Sequence, residues 1–415
     1  MGRHPRHETR AEGGSGFVVA DGHSPMKYDV AVVGAGPAGA WTAYVLASRG
    51  ARVVLADPSH PREKPCGGGV TGRALALVRP SLALDRLPAV SIRTARFIDT
   101  PTAKTARVPL DGGTLTGALV VASRTEFDGL LLAAATRAGA VLVPARVTNI
   151  EIEHGGFRLE TADGKAQRVG WVIGADGANS LVRRRLARPF RRDQLSIATG
   201  FFARGISSDE IVLELVGDPP GYLWSFPRPD HLAIGICSAA DAGVTAGALR
   251  ARVAEWIRVT GIASGAPLEP YSWPIPSLSP RDFGTLEVAG HGWVLVGDAA
   301  GLVDPITREG IFFALQSGAF AAETLASGCS RPERCYRDRV QAQIGSDLAR
   351  AARIKAGFFR PRFTRLLIDA VGKSPRIQAV MADLIAGRQS YRGLKWRLAR
   401  TLEAGLLWRM MTEKP

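Results

Sequence analysis

The segment Gly34-Ala35-Gly36-Pro37-Ala38-Gly39 constrains this chain more than any other. It follows a β-branched apolar run from Tyr28 to Val33 and opens a helix-like stretch from Pro37 to Ser48. A second strand-like run, Ala51 to Ala56, then ends at Asp57. In a β-α-β opening of this kind Gly34 makes the tight turn, Gly36 lets backbone approach a pyrophosphate, and Gly39 lets the helix pack closely. Pro37 and Ala38 occupy the first helical turn, whose free N–H groups and positive dipole end suit phosphate. Asp57, 23 positions beyond Gly34, stands where a carboxylate can hold ribose hydroxyls. Alone, this loop predicts a dinucleotide of unspecified kind.

Two later loops narrow the ligand. Gly174-Ala175-Asp176-Gly177-Ala178-Asn179 follows the strand-like Trp171 to Ile173, and Gly297-Asp298-Ala299-Ala300-Gly301 follows Trp293 to Val296. Each puts a carboxylate at a strand end, where a polyhydroxyl chain can be gripped, and this favours FAD over NAD. Between them, Ser123-Arg124-Thr125-Glu126 reads as a capping box that starts a helix through about Arg137. After Asp298, the run Asp304-Pro305-Ile306-Thr307-Arg308-Glu309-Gly310-Ile311 leads into a helix expected from Pro305 to about Ser327. Its free N–H groups can face an anion such as reduced flavin.

The three loops, in this order, resemble the p-hydroxybenzoate hydroxylase-like flavoprotein superfamily over residues 27 to 330. The resemblance implies that Asp298 binds the ribityl chain and that Asp176 and Gly177 lie near the pyrophosphate. It also implies that Arg124 helps hold the cofactor and that the loop at Gly310 and Ile311 meets the pyrimidine side of the isoalloxazine. Gly297 and Val147 are placed with these cofactor residues. Arg308 departs from the family, many of whose members have Gly there.

Two further motifs resemble the geranylgeranyl reductase family, whose members saturate isoprenoid double bonds. One is Lys64-Pro65-Cys66-Gly67-Gly68-Gly69-Val70, and the other is Tyr222-Leu223-Trp224-Ser225-Phe226-Pro227. The tail segment Ala386-Gly387-Arg388-Gln389-Ser390-Tyr391 is similar to that family's C-terminal region. Glycines let backbone run close to a flat ring, and Cys66 brings a polarizable thiol beside it. Cys66, Gly67 and Gly68 are therefore expected at the flavin. Tyr222, Trp224 and Phe226 alternate, so on a strand they share one face, and with Pro227 they suit the wall of a prenyl-chain pocket.

The expected fold is α/β: a Rossmann-type, glutathione-reductase-2-like FAD domain (26–90, 115–190 and 280–330) with an inserted mixed-sheet substrate domain (91–114 and 191–279). Residues 1–25 read as a disordered extension, with Met26 a candidate native start, and 331–415 as a basic helical region. That last segment holds 19 Lys or Arg against 7 Asp or Glu, +12 of the chain's +15. A charge of this kind suits an anionic membrane surface at about 1 kcal/mol per basic residue; no nucleic-acid partner is expected. No run approaches the ~18 apolar residues of a membrane span, and no signal peptide is visible, so the expected location is cytoplasmic, peripheral on the inner face of the membrane. The scattered cysteines at 66, 237, 329 and 335 suggest no disulfide framework and no metal site.

The chemistry expected is reduction of an isolated C=C bond in a polyprenyl lipid or quinone, with hydride from flavin N5 and a proton from Cys66 or Tyr222. Trp224 or Tyr222 would stabilise positive charge at the substituted carbon. The electron donor stays open between NADPH and a ferredoxin-like redox partner. Two rivals remain at this point: a flavin-dependent monooxygenase acting on a natural product or peptide, and a membrane-associated electron-transfer flavoprotein. The tryptophan halogenase pattern Trp-x-Trp-x-Ile-Pro is absent, which argues against halogenation.

Overall fold

The computed structural model describes residues 26–110 and 119–401. The expected disordered extension at 1–25 lies outside the described residues, as do 111–118 and 402–415. The apolar run Tyr28–Val33 forms the centre of an eight-stranded sheet, parallel to Val53–Ala56 on one side and to Ala166–Gly174 on the other. A strand buried on both faces has no polar side to alternate with, which is why the run reads as continuously apolar. The order across the sheet is Ala289–Gly290, Trp293–Leu295, Ala166–Gly174, Tyr28–Val33, Val53–Ala56 and Val141–Val143; the hairpin Val147–Glu153/Gly156–Thr161 hangs on Ala166–Gly174. Helices Pro37–Ala47, Arg124–Arg137 and Ile311–Ala326 pack together beside it.

A seven-stranded sheet stands opposite, in the order Leu268–Pro276, Leu195–Arg204, His231–Ala239, Pro220–Pro227, Glu210–Gly217, Thr94–Asp99, Lys104–Pro109. Its pairings are antiparallel except that of Glu210–Gly217 with Thr94–Asp99. Period-two alternation sends Leu223, Ile234 and Ile236 to one face, against Leu249, Val253 and Trp256 of helix Ala246–Thr260. Trp224 and Cys237 take the other face. This fold is the glutathione-reductase-2-like FAD fold.

Two expectations need correction. The helix expected from Pro305 starts at Ile311, because the Asp304 carboxylate accepts the N–H groups of Ile306 (2.7 Å) and Thr307 (2.9 Å) and turns the chain first. Cys329 and Cys335 are paired in a disulfide, a local pairing that the overall scatter of cysteines concealed. The C-terminal helices are part of the core of the seven-stranded sheet. Pro361–Lys373 and Pro375–Ile385 pack on Lys104–Pro109, and Leu367, Val371, Met381 and Leu384 share a core with Phe97, Val108 and Ile211. Among the described residues, no helix is long and apolar enough to cross a membrane.

Candidate active site

A single cavity of about 990 Å³ runs from the carboxyl end of Tyr28–Val33 to the inner face of the seven-stranded sheet. That volume is at the upper end for small-molecule sites, about 300–1,000 Å³. Gly34, Gly36, Pro37 and Ala38 line its first end. Gly39 does not reach it. A Cβ at Gly39 would sit 1.8 Å from the Gly34 carbonyl oxygen, so glycine there is what allows the helix to start against the turn. Helix Pro37–Ala47 has no side-chain cap, which leaves its first N–H groups directed at the cavity end.

Asp57 lines the same end and is firmly placed. Its carboxylate accepts from Ala35 N at 2.9 Å, Ser59 N at 2.7 Å and His60 N at 2.8 Å, and meets His60 Nδ1 at 2.9 Å. Burial pushes its carboxyl up, but the His60 hydrogen bond and charge more than offset that and hold it well below the usual carboxylate range. Asp176 and Gly177 also line the cavity. The Asp176 carboxylate, however, accepts from Ser180 Oγ (2.5 Å), Leu181 N (2.6 Å) and Val182 N (3.3 Å). It therefore braces the N-terminus of helix Leu181–Leu186, whose N-cap is Ser180, while still facing the cavity. Burial pushes it up, against those hydrogen bonds.

Midway, Asp298 lines the cavity with Lys64 Nζ at 3.1 Å. Gly297 lies outside the lining; its N–H donates to Ser317 Oγ at 2.9 Å and fixes the loop to the following helix. Val147, Gly310 and Ile311 complete the wall. Arg124, at the start of its helix, is buried rather than a surface residue. Its Nε and Nη2 donate to Asp128 (2.9 and 2.7 Å), and its Nη1 donates to Cys66 Sγ at 3.2 Å. Burial opposes its charge, but Asp128 and Cys66 together raise its pKa.

Cys66, Gly67 and Gly68 line the cavity where its two ends meet. A Cβ at Gly67 would come within 3.1 Å of the Phe226 ring, so the glycine run lies flat on the aromatic wall. Tyr222, Trp224 and Phe226 all face the cavity. Pro227 does not: one step further along the strand, it points to the opposite face and pairs with Leu232. Tyr222 donates to the Thr307 carbonyl at 3.3 Å, and burial pushes its phenol far up. Backbone at Gly36, Gly67 and Gly68, a helix N-terminus, and Asp298 beside Lys64 together fit an extended dinucleotide with a flat ring.

The FAD binding domain family matches residues 27–245. A geranylgeranyl diphosphate reductase of Rhodobacter capsulatus is 32% identical over 72% of this chain and 75% of its own length. The chain belongs to the geranylgeranyl reductase family of FAD-dependent oxidoreductases. A menaquinone reductase of Mycolicibacterium smegmatis is 29% identical over 93% of this chain and 98% of its own length. A geranylgeranyl bacteriochlorophyll reductase-like protein from Thermoplasma acidophilum shares the fold, with a TM-score of 0.75 at 22% identity, over 90% of this chain and 99% of that one.

In this member of the reductase family, sequence reasoning missed several residues around the site. Arg228 is fully buried; its Nη2 donates to the Cys66 carbonyl at 2.5 Å and lies 3.6 Å from Cys66 Sγ, and it is ion-paired with Glu63. Burial pulls its pKa down to about 10. Glu63 in turn accepts from Ser123 Oγ and Arg124 N, each at 3.2 Å. Position next to Pro227 was the one available sign for Arg228. Phe358, Met381, Leu384 and Ile385 of the C-terminal helices extend the cavity, and nothing in their own sequence separates them from ordinary core. Tyr391, in the tail segment, donates to Asp304 at 3.1 Å and ties that tail to the loop before Gly310.

Proposed function

We propose that this enzyme saturates isolated C=C bonds of a polyprenyl lipid or quinone. The observation that carries this reading is the second half of the cavity. Beyond the Cys66 junction it is walled by Tyr222, Trp224 and Phe226 and continues between Leu213 and Leu215 of the sheet and Met381 and Leu384 of the tail. Such a wall suits a long hydrocarbon chain and offers few hydrogen bonds to a polar substrate. The names of relatives, geranylgeranyl diphosphate reductase and menaquinone reductase, agree with it.

FAD, when bound and reduced by two electrons from an external donor such as NADPH or a ferredoxin-like carrier, would supply the hydride. Gly34 to Ala38 would hold its pyrophosphate, Asp57 its adenosine ribose, and Asp298 with Lys64 its ribityl chain. Gly67, Gly68, Gly310 and Ile311 would border its ring. The protein's own part is to hold the alkene against the aromatic face, where Trp224 can stabilise positive charge on the substituted carbon by about 2 kcal/mol in a desolvated site. That charge would develop as a proton reaches the adjacent carbon, and the hydride would then close the substituted carbon. Burial keeps the Tyr222 proton on its oxygen, so Cys66 is the better donor, and the Arg124 guanidinium 3.2 Å from Sγ is placed to offset charge left on sulfur.

Peripheral attachment to an anionic membrane belongs to the same reading. Helix Tyr391–Ala399 buries Tyr391 and Leu394 and turns Arg392 and Lys395 outward with Trp396, which is 75% exposed, and Arg400 follows at its C-terminal end, also exposed. An indole among cations on one helix face suits a headgroup boundary. Substrate assays on anaerobically reduced enzyme test the reaction: Cys66→Ala and Trp224→Ala should each lower alkene turnover, and unchanged turnover in both removes the assignment. Sedimentation with anionic vesicles tests the attachment, which Trp396→Ala should weaken.

A further inference from the structure

Arg308 carries a long cationic side chain at a position whose backbone favours glycine. Its φ is 60°, a left-handed conformation that persists in a side-chain-bearing residue only where the surroundings hold it. The loop around it packs on the ribityl part of the site, for a Cβ at Gly310 would come 3.3 Å from Asp298 Oδ1. On its other side the Thr307 carbonyl accepts from Tyr222. Arg308 itself lines the cavity. Its Nη2 is anchored outside the lining, where it donates to Ser196 Oγ at 3.1 Å, while its buried Nη1 has no hydrogen-bond partner among the described residues.

The other charged groups around this loop are engaged. Asp298 meets Lys64 at 3.1 Å, and Glu309 is held by Thr71 at 2.6 Å and paired with Arg73. Asp304 accepts from Ile306, Thr307 and Tyr391, and burial pushes its carboxyl up. Burial likewise keeps the Tyr222 phenol protonated. Lys355, on helix Ser346–Phe358, donates to Ser277 Oγ at 2.7 Å; burial, followed by the charge of Arg308, lowers it to about 8. Arg308 thus keeps its charge without a carboxylate partner among the described residues. A guanidinium with one arm anchored and one arm free adds little to a fold and is ready to meet an anion.

The flavin ring joins its ribityl chain at N10, beside N1 and the C2 carbonyl, so a loop packed on Asp298 lies at that edge. Two electrons and one proton, taken up at N5, leave a negative charge there; a second proton, at N1, removes it. We infer that Arg308 tunes the cofactor: its free Nη1 meets the N1–C2 edge and stabilises the reduced ring as the anion. The oxidised ring is neutral and gains less. The side chain adds a full charge to the partial one at the N-terminus of helix Ile311–Ala326, so the cofactor accepts electrons from a weaker donor. This rests on the placement of the ribityl chain at Asp298 and of the ring beside Gly310 and Ile311.

The test is the two-electron potential of the bound flavin, measured anaerobically by equilibration of the full-length, FAD-loaded enzyme with a reference dye. Arg308→Gly and Arg308→Asn are both at ease in the left-handed turn. Each should lower the preference for reduced over oxidised flavin about tenfold, the effect of one charge-assisted hydrogen bond, which is ~30 mV for a two-electron couple. The pH at which near-ultraviolet absorbance reports protonation of the reduced flavin should rise by about one unit, the same tenfold. Arg308→Lys, which keeps the charge, should recover most of both shifts. Flavin absorbance per mole of protein reports that each variant is folded and loaded. An unchanged potential and an unchanged protonation in the Gly and Asn variants overturn the role of Arg308 and leave alkene reduction as it stands. Shifts that Arg308→Lys does not recover come from a distorted loop and overturn it as well. Both shifts, recovered by Lys, in an enzyme that saturates no prenyl double bond uphold the role of Arg308 and remove the reductase reading instead.

Discussion

The two ends of the cavity are made differently. The end at Gly34 to Ala38 is built of backbone from one short stretch, and Asp57 and His60 brace it from the next strand. The far end is built of side chains from segments hundreds of residues apart: Cys66, Tyr222 to Phe226, Arg308, and Met381 to Ile385. Backbone sites tolerate almost no change where they are, because a Cβ has nowhere to go. Side-chain sites tolerate change more gradually, and it is there that a family sharing one cofactor fold can vary its substrate.

The sharpest way to break this contrast is Gly39→Val. With the Cβ position 1.8 Å from the Gly34 oxygen, the turn and helix cannot both form, and flavin retention after gel filtration should be lost entirely. Full retention would show that the first end is not rigid. Arg124→Met strips Asp128 of its buried partner and should lower unfolding free energy by about 3–5 kcal/mol, measured by denaturant titration. It joins the two ends through Cys66, so its effect should appear in both stability and turnover.

Lys355→Met should act in the opposite direction. The ammonium titrates near 8 in the fold against 10.5 in the unfolded chain. Its burial therefore costs stability fully below about pH 8, and the cost disappears as pH rises toward 10.5. The variant should be more stable than wild type at pH 7 by up to about 3 kcal/mol, and the difference in Tm should shrink above pH 8. A constant difference would contradict this account of the far end. Trp224→Ala should leave flavin content intact and lower kcat/KM roughly thirtyfold, about 2 kcal/mol of transition-state stabilisation. Tyr391→Phe removes the bond from the tail to Asp304 and should cost about 1 kcal/mol of stability.

The same contrast explains what was legible in the sequence. Gly34 to Gly39 and Asp57 announce themselves because local backbone geometry demands those residues at that spacing. Tyr222, Trp224 and Phe226 were readable from strand alternation, and the same alternation explains why Pro227 turns away. The second role of Asp176 was not legible, because a carboxylate at a strand end that faces a cavity can also brace the next helix, and only the positions of Ser180 and Leu181 show that it does. Arg228 and the tail residues at the cavity were invisible because their roles are long-range: Arg228 meets Cys66 across 162 positions. The start of the helix at Ile311 was misplaced because a carboxylate-stabilised turn at Asp304 leaves no periodic signal.

The central claim is that this cavity delivers two hydrogens to a prenyl double bond, and mass spectrometry of an anaerobic reaction tests it most directly. Dithionite-reduced enzyme, supplied with geranylgeranyl diphosphate or menaquinone, should yield product heavier by one H₂ for each double bond saturated, with no oxygen required. Product that gains an oxygen atom and forms only in air, with no H₂ gained under anaerobic conditions, would contradict it.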